Sequence, residues 1–270
     1  MMTPNDRTRA FHELHRAGCF VIPNPWDVGA AKLLAQLGFQ ALATTSSGFA
    51  WSLGKRDNRV TLDEALAHYR AMCAAVSIPV SADFEHGFAD SPDGVAANVA
   101  RACATGLAGL SVEDSSDDPA HPLYDFSLAV ERVRAAREAI DGTGSGVLLT
   151  ARAEGFHVGT PSLDDSIARL RAFADAGADC LFMPGLRRAE DIRLVVEAVA
   201  PKPLNVLVSA DFTTVEELAD IGVRRISVGG ALARAAWAGF FAAAREIAAS
   251  GTFRALGKAT PGGELERAFG

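Results

Sequence analysis

Short apolar segments alternate with segments of helical periodicity along nearly the whole chain. The apolar segments are rich in Val, Ile and Leu and lack polar alternation, which is typical of parallel strands buried on both faces. Eight such strands are predicted: CFVIP from Cys19, ALATT from Ala41, IPVSAD from Ile78, GLSVED from Gly109, GVLLTAR from Gly146, CLFMPG from Cys180, PLNVLVS from Pro203 and RRISVGG from Arg224. Each is followed by a helical pattern.

The number of strand–helix units predicts how the sheet is arranged. Eight units is the number that closes a (β/α)8 barrel of the TIM type. An open doubly wound sheet is the alternative, but it usually carries a glycine fingerprint after its first strand, where this chain has NPWDVGA. We therefore predict an α/β fold with one barrel domain over 1–270, including an N-terminal helix over 1–18 and a C-terminal tail over 251–270.

The composition restricts the classes of molecule that this predicted barrel is expected to bind. Of the 270 residues, 26 are Lys or Arg and 33 are Asp or Glu, which gives a formal net charge of −7. This charge argues against nucleic acid or an anionic membrane as partner. No apolar run approaches the roughly 20 residues of a membrane helix. The four cysteines are widely separated, which predicts reduced thiols and a cytoplasmic protein.

Polar residues gather at the carboxyl ends of the predicted strands, where barrels carry their chemistry. Asp83, Glu113 and Arg152 end the third, fourth and fifth strands. Because these strands are neighbours, their last side chains should meet at one rim. Two interpretations are open: a salt-bridge network, or a Mg²⁺ site in which the carboxylates hold a hydrated ion and the arginine binds a substrate carboxylate.

The segment TTSSG follows the second strand and ends in glycine. The hydroxyls of Ser46 and Ser47, with backbone N–H groups near Gly48, can hold a carboxylate or a phosphonate. A plain turn explains the same residues. Asn205, on the seventh strand, is a further candidate for substrate binding.

Taken together, these motifs resemble the phosphoenolpyruvate mutase/isocitrate lyase superfamily over essentially the full chain. The resemblance rests on PNPWDVGAAKLL from Pro23, TTSSGFAWSLGKRD from Thr44, PVSADFEHGF from Pro79, GLSVEDS from Gly109 and LTARAEGF from Leu149. It implies a Mg²⁺-dependent barrel, with Mn²⁺ as an alternative ion, that makes or breaks a C–C or P–C bond beside a 2-oxo or 2-hydroxy acid. It also implies a homotetramer that exchanges C-terminal helices between subunits.

The resemblance implies a role for each matching position. Ser46, Ser47 and Gly48 match residues that bind the carboxylate and oxo group of the substrate. Arg152 matches the substrate-binding arginine, which also counts among the catalytic residues. Asp57, in GKRD, matches an acidic residue on the loop after strand two and is predicted to be catalytic.

The predicted metal site departs from the pattern of the superfamily. Asp83 and Glu113 match carboxylates of the metal shell, but the usual Asp-Ala-Asp on strand three begins here with Ser81. One carboxylate is therefore missing. Glu85, two residues beyond Asp83, is predicted to replace it as a metal ligand.

The loop after strand four, SSDDPAHPLYD, contains no cysteine. Isocitrate and methylisocitrate lyases carry a cysteine there, so these activities are disfavoured. The predicted function is a Mg²⁺-dependent lyase or decarboxylase that cleaves a C–C bond of a small 2-oxo or 2-hydroxy dicarboxylic acid through an enolate. His86, His121 and Tyr124 are the candidate proton donors. Phosphonopyruvate hydrolase or mutase chemistry, and a non-catalytic barrel that binds an oxo acid, are the alternatives.

The helical segment from Gly229 is rich in alanine and carries Trp237, Phe240 and Phe241. A helix that is apolar around most of its circumference needs cover. Packing on its own barrel is one way to provide it. We favour a subunit interface, and so predict a homo-oligomer, either a dimer or a tetramer.

Overall fold

In the computed structural model, which describes residues 3–116 and 118–269, all eight predicted strands form one parallel sheet. The strands are β1 (Phe20–Ile22), β2 (Leu42–Ala43), β3 (Val80–Asp83), β4 (Gly109–Glu113), β5 (Leu148–Arg152), β6 (Cys180–Phe182), β7 (Leu204–Leu207) and β8 (Arg225–Ser227). They pair in chain order from β2 to β8, and β8 pairs with β1.

The barrel closes between its first two strands by an isolated hydrogen bond. The Ala43 N–H donates to the Pro23 carbonyl at 3.1 Å, although β1 and β2 form no regular ladder. The result is a nearly closed (β/α)8 barrel, which confirms the predicted fold class. The predicted outer limits at residues 1 and 270 lie outside the described residues.

Eleven helices are described. They are α1 (Pro4–Arg16), α2 (Val28–Gln36), α3 (Ser46–Ser52), α4 (Leu62–Ala75), α5 (Pro92–Cys103), α6 (Phe126–Thr143), α7 (Leu163–Asp175), α8 (Ala189–Val199), α9 (Val215–Ile221), α10 (Ala231–Ser250) and α11 (Gly262–Phe269), with a 3₁₀ turn at Arg254–Lys258. Capping side chains determine where several of these helices begin. At α4, the Thr61 hydroxyl accepts from the Glu64 amide, and the Glu64 carboxylate accepts from the Thr61 amide.

The N-terminal helix α1 closes the amino-terminal end of the barrel. Phe11 is fully buried, and its ring centroid lies 6.5 Å from that of Phe20 on β1. A side chain at Gly109 would place its Cβ 2.5 Å from the Phe11 ring, so glycine is required where the helix meets β4. This small apolar cluster separates the barrel interior from solvent below.

The C-terminal part of the chain leaves an apolar surface uncovered. On α10 only Ala233 is buried, whereas Phe240 and Phe241 are 56% and 45% exposed. The last helix packs near α2, where Gln36 donates to the Ala268 carbonyl at 2.5 Å. Among the described helices, none combines the length and the apolar character needed to cross a bilayer.

Candidate active site

A cavity of about 150 Å³ opens at the carboxyl ends of the strands and reaches down into the barrel. Its wall contains six of the predicted site residues: Ser46, Ser47, Asp57, Asp83, Arg152 and Asn205. They come from β2, β3, β5, β7 and the segments after them. The barrel therefore brings together side chains that lie up to 159 positions apart, counted from Ser46 to Asn205.

Arg152 lies at the centre of a carboxylate cluster in the cavity wall. Its Nη1 is 2.7 Å from Asp83 Oδ1 and 3.2 Å from Glu113 Oε2, and its Nε is 2.7 Å from Glu154 Oε1. The β4–β5 register places Glu113 directly opposite Arg152. The salt-bridge network proposed from strand order is thus present. Glu154 was not predicted as a partner of Arg152. Its position two residues after Arg152 could have indicated this contact.

Burial and charge act in opposite directions on this cluster. Burial raises the pKa of the Glu154 carboxyl to about 8, against the attraction of Arg152 and with repulsion from Glu113. Burial also disfavours the charged form of Arg152, but the neighbouring carboxylates outweigh it and hold its pKa well above the usual value. The guanidinium therefore stays charged, while Glu154 is able to carry a proton near neutral pH.

Asp83 is held in place by three different elements. Its Oδ2 accepts from the Ser46 N–H at 3.0 Å, at the start of α3. Its backbone N–H donates to Thr44 Oγ1 at 3.0 Å, and its carbonyl accepts from the Tyr69 hydroxyl at 2.8 Å. With Arg152 on its other oxygen, the carboxylate has little freedom to rotate.

The three residues of the predicted carboxylate-binding segment have different surroundings. Ser46 and Ser47 line the cavity, whereas Gly48 is buried behind it. The Gly48 N–H donates to Thr45 Oγ1 at 3.4 Å, and a Cβ at Gly48 would lie 2.9 Å from the Trp26 Cβ. Gly48 thus allows α3 to pack closely, and the two serines face the space where a ligand would lie.

Asp57 lies at the cavity mouth, where it retains contact with solvent. Burial of its carboxyl raises its pKa, and the charges of Asp83 and Glu113 raise it further, while a hydrogen bond from Ser46 lowers it. Negative charge is therefore concentrated on this side of the cavity.

Glu85 and His86 lie on the loop after β3 and are not among the described residues that line the cavity. Glu85 is buried with a left-handed φ of 48°, and its carbonyl accepts from the Glu113 N–H at 3.1 Å. The carbonyl of His86 accepts from the Arg132 guanidinium. This loop is thus shaped by its backbone contacts.

His121 and Tyr124, on the loop after β4, also lie away from the described cavity wall. His121 is exposed, and its Nδ1 is 3.0 Å from Asp118 Oδ2. Tyr124 is buried, and its hydroxyl donates to Asp90 Oδ1 at 2.6 Å. His157, on the loop after β5, lines the cavity instead, although it was not among the predicted site residues.

The donor set suits a divalent ion with few protein ligands. Within the described ranges, no three His, Cys, Asp or Glu side chains form a group that could hold a metal by themselves. Mg²⁺, however, needs only one or two carboxylates and keeps several water ligands. Asp83 and Glu113 place more negative charge beside Arg152 than its one positive charge neutralises, and a cation would stabilise that arrangement. The residues therefore fit a hydrated ion, and Glu85 as a third ligand stays a prediction.

The chain is similar to known proteins over most of its length. The family model for phosphoenolpyruvate phosphomutase matches residues 11–248. A crystal structure of a candidate lyase/mutase from Burkholderia cenocepacia is 45% identical and superposes with a TM-score of 0.95, covering 98% of this chain and 97% of that one. A crystal structure of a 2,3-dimethylmalate lyase is 29% identical and superposes with a TM-score of 0.86, covering 100% of this chain and 95% of that one. An oxaloacetate decarboxylase of Paraburkholderia xenovorans is 30% identical over 74% of this chain and 68% of its own length.

Proposed function

From the fact that this chain belongs to the phosphoenolpyruvate mutase/isocitrate lyase superfamily, we propose that it is a Mg²⁺-dependent lyase of small 2-oxo or 2-hydroxy dicarboxylic acids. Oxaloacetate and substituted malates are the substrate class. The observation that carries the proposal is the Arg152 guanidinium, which lies in the wall of a small cavity and is fixed by Asp83, Glu113 and Glu154.

Arg152 is the proposed site for the substrate carboxylate. Its hydrogen bonds to described residues use Nε and Nη1, which leaves Nη2 for a ligand. A guanidinium binds a carboxylate through paired N–H donors. The hydroxyls of Ser46 and Ser47, on another part of the wall, would hold the oxo group and orient the bond to be cleaved.

Asp83 and Glu113 would hold Mg²⁺, with Asp57 close to it. When bound, the ion supplies Lewis-acid polarisation of the oxo group and neutralises the developing negative charge. The protein contributes preorganised positions, since Asp83 is anchored by Ser46 and Glu113 accepts from the Ser115 hydroxyl at 2.5 Å. Preorganised groups need not reorient as the charge develops, and this makes their stabilisation effective.

Decarboxylation requires a proton at its end. The electron pair of the breaking C–C bond passes into the enolate, carbon dioxide leaves, and the enolate carbon then takes up a proton. Asp57 and His157 are the proposed donors, because both line the cavity and because carboxyl and imidazole groups commonly serve as general acids. His86, His121 and Tyr124, the donors predicted from sequence, would need their loops to move before they could reach a ligand.

Cavity size favours a small substrate. The cavity volume of about 150 Å³ is below the roughly 300–1,000 Å³ that is typical of pockets for drug-sized ligands. It suits an acid of a few carbon atoms better than a tricarboxylate such as methylisocitrate. The loop without cysteine supports the same choice.

Turnover of a substrate panel tests the proposal. The purified protein is assayed with oxaloacetate, alkylmalates, methylisocitrate and phosphonopyruvate, with Mg²⁺ and with a chelator. We expect Mg²⁺-dependent release of a 2-oxo acid from oxaloacetate or an alkylmalate above the uncatalysed rate. Phosphate release from phosphonopyruvate alone would favour P–C chemistry. Oxalate binding without any turnover would favour a non-catalytic barrel.

A homo-oligomer is the proposed state of the protein. The rings of the exposed Phe240 and Phe241 and of the half-buried Trp237 lie within about 6 Å of one another on α10, and Ile247 on the same helix is 39% exposed. A contiguous apolar patch of this kind marks an interaction site. A second copy that exchanges this helix would cover it.

A further inference from the structure

The interior of the barrel below Arg152 is polar. Barrel interiors are commonly filled by bulky branched residues. Here Ser81, Ser111, Asn205 and Ser227 line the lower part of the cavity, and all four are buried. The cavity extends past them to a fifth polar side chain, Arg225, at the start of β8.

Arg225 is fixed by three neutral acceptors. Its Nε donates to Asn205 Oδ1 at 2.8 Å, and its Nη1 donates to Thr150 Oγ1 at 3.0 Å and lies 3.4 Å from His15 Nε2. Because His15 Nδ1 lies 2.7 Å from the Phe11 carbonyl, Nδ1 carries the hydrogen and Nε2 is left as an acceptor. The imidazole is neutral, since burial lowers the pKa of His15 to about 3.

The charge of Arg225 has no carboxylate partner within the described ranges. Arg225 is 5% exposed, and a guanidinium in a protein keeps its charge. Arg152, one layer above, shows the opposite situation, because three carboxylates surround it. Of these two guanidinium groups, the one at the bottom of the cavity is therefore the one whose charge no carboxylate balances.

The contact between Thr150 and Arg225 indicates how deep Arg225 lies below Arg152. Thr150, which contacts Arg225, is two residues before Arg152 on β5, and both side chains point to the barrel interior. Two residues of a strand span about 6.6 Å. A four-carbon acid bound by one carboxylate near Arg152 would direct its other end towards Arg225. The Nη2 of Arg225 has no hydrogen bond to a described residue, so it can donate to such a group.

We propose that Arg225 forms an anion subsite at the bottom of the cavity, which binds the distal carboxylate of a dicarboxylic substrate. This inference rests on the proposed function and specifies its substrate class. Asn205 and Thr150 act as positioning residues, since they orient the guanidinium. The site selects acids with two separated carboxylates over monocarboxylates.

Two probes of different length test the subsite in the full-length protein. With Mg²⁺ present, calorimetry measures the binding of oxalate and of 3,3-difluorooxaloacetate to wild type and to Arg225→Gln. Oxalate is too short to reach from Arg152 to Arg225, so its affinity should not change. The affinity for difluorooxaloacetate should fall by about 10- to 100-fold. Equal loss for both probes, or no loss for either, would overturn the proposal.

Arg224→Gln is the matched control, because this neighbour carries the same charge and donates to the Gly18 carbonyl away from the cavity wall. It should bind both probes like wild type. If Arg225→Gln does not fold, Arg225→Lys and a crystal structure of wild type with difluorooxaloacetate replace it. A distal carboxylate within hydrogen-bond distance of Arg225 would support the subsite, and one bound elsewhere would contradict it.

The outcomes separate the subsite from the proposed function. If difluorooxaloacetate binding depends on Arg225 but no oxo acid is turned over, the subsite stands and the proposed activity is wrong. If turnover of a dicarboxylate is unaffected by Arg225→Gln, the activity stands and the subsite is wrong.

Discussion

Glu113 and Arg152 lie directly opposite each other on β4 and β5, and Glu113 Oε2 is 3.2 Å from Arg152 Nη1. Both side chains are at the carboxyl ends of their strands and are largely buried. The pairing fixes the arginine in the cavity wall. It also means that a neutral residue at position 152 would leave buried carboxylates without their counter-charge.

Arg152→Lys should separate charge from geometry. Lysine keeps the positive charge but loses the fork of N–H donors. We expect the protein to stay folded and kcat/KM for the cleaved acid to fall by about 100-fold or more. Arg188→Lys, at an exposed site just before α8, is the control and should leave kcat/KM unchanged. A variant with normal kcat/KM would exclude Arg152 from substrate binding.

Asp57→Asn should reduce turnover by about 100-fold or more, since a general acid contributes at least this factor. The amide keeps the size of the side chain but cannot deliver the proton. His121→Gln is the paired variant, because its side chain is 83% exposed and lies outside the described cavity wall. Steady-state assays with the same substrate compare the two. If only His121→Gln lost activity, the proton donor would be His121, as predicted from the sequence, and not Asp57.

Gly48→Ala should destabilise the protein. The added Cβ would lie 2.7 Å from Thr45 Cγ2 and 2.9 Å from the Trp26 Cβ, so the start of α3 has to shift. Overpacking of this kind costs about 1–3 kcal/mol. Gly142→Ala, which meets no atom within 4 Å, is the control and should not destabilise. Thermal unfolding of both variants provides the comparison.

Acid should weaken the fold through His68. Its ring stacks on Phe49 at 3.8 Å, and burial lowers the pKa of His68 from 6.5 to about 4. Between pH 6.5 and 4 the unfolded chain binds the proton and the folded chain does not, so stability falls as pH falls. The full effect is about 3 kcal/mol. In His68→Asn, the free energy of unfolding should depend less on pH over this range. If the free energy of unfolding of His68→Asn depended on pH as strongly as that of wild type, His68 would not be the group responsible.

The apolar surface of α10 should determine the oligomeric state. We expect wild type to behave as a dimer or tetramer in size-exclusion chromatography with light scattering. Phe240→Glu should shift it to a smaller species, because a buried charge in an apolar interface is costly. Leu194→Glu, at a 50% exposed position on α8, is the control. A monomeric wild type would contradict the proposed exchange of helices.

The sequence by itself determined the barrel and most of its rim. Each strand of a parallel barrel is buried on both faces, so each appears as a continuous apolar run, and the order of these runs sets the neighbours. Asp83 and Arg152 could be assigned to one rim because they end adjacent predicted strands. The same local pattern predicted helix α10 and its apolar surface.

Only the tertiary structure decided which loop residues reach the cavity. His86 and Tyr124 are turned away because Arg132, on α6, binds the loop carbonyls and packs its guanidinium 4.0 Å from the Tyr124 ring. The environment of Arg225 was equally hidden, since its partner His15 is 210 positions away. Strand periodicity is a local property of the chain, whereas the charge balance of a buried group depends on every element that packs around it.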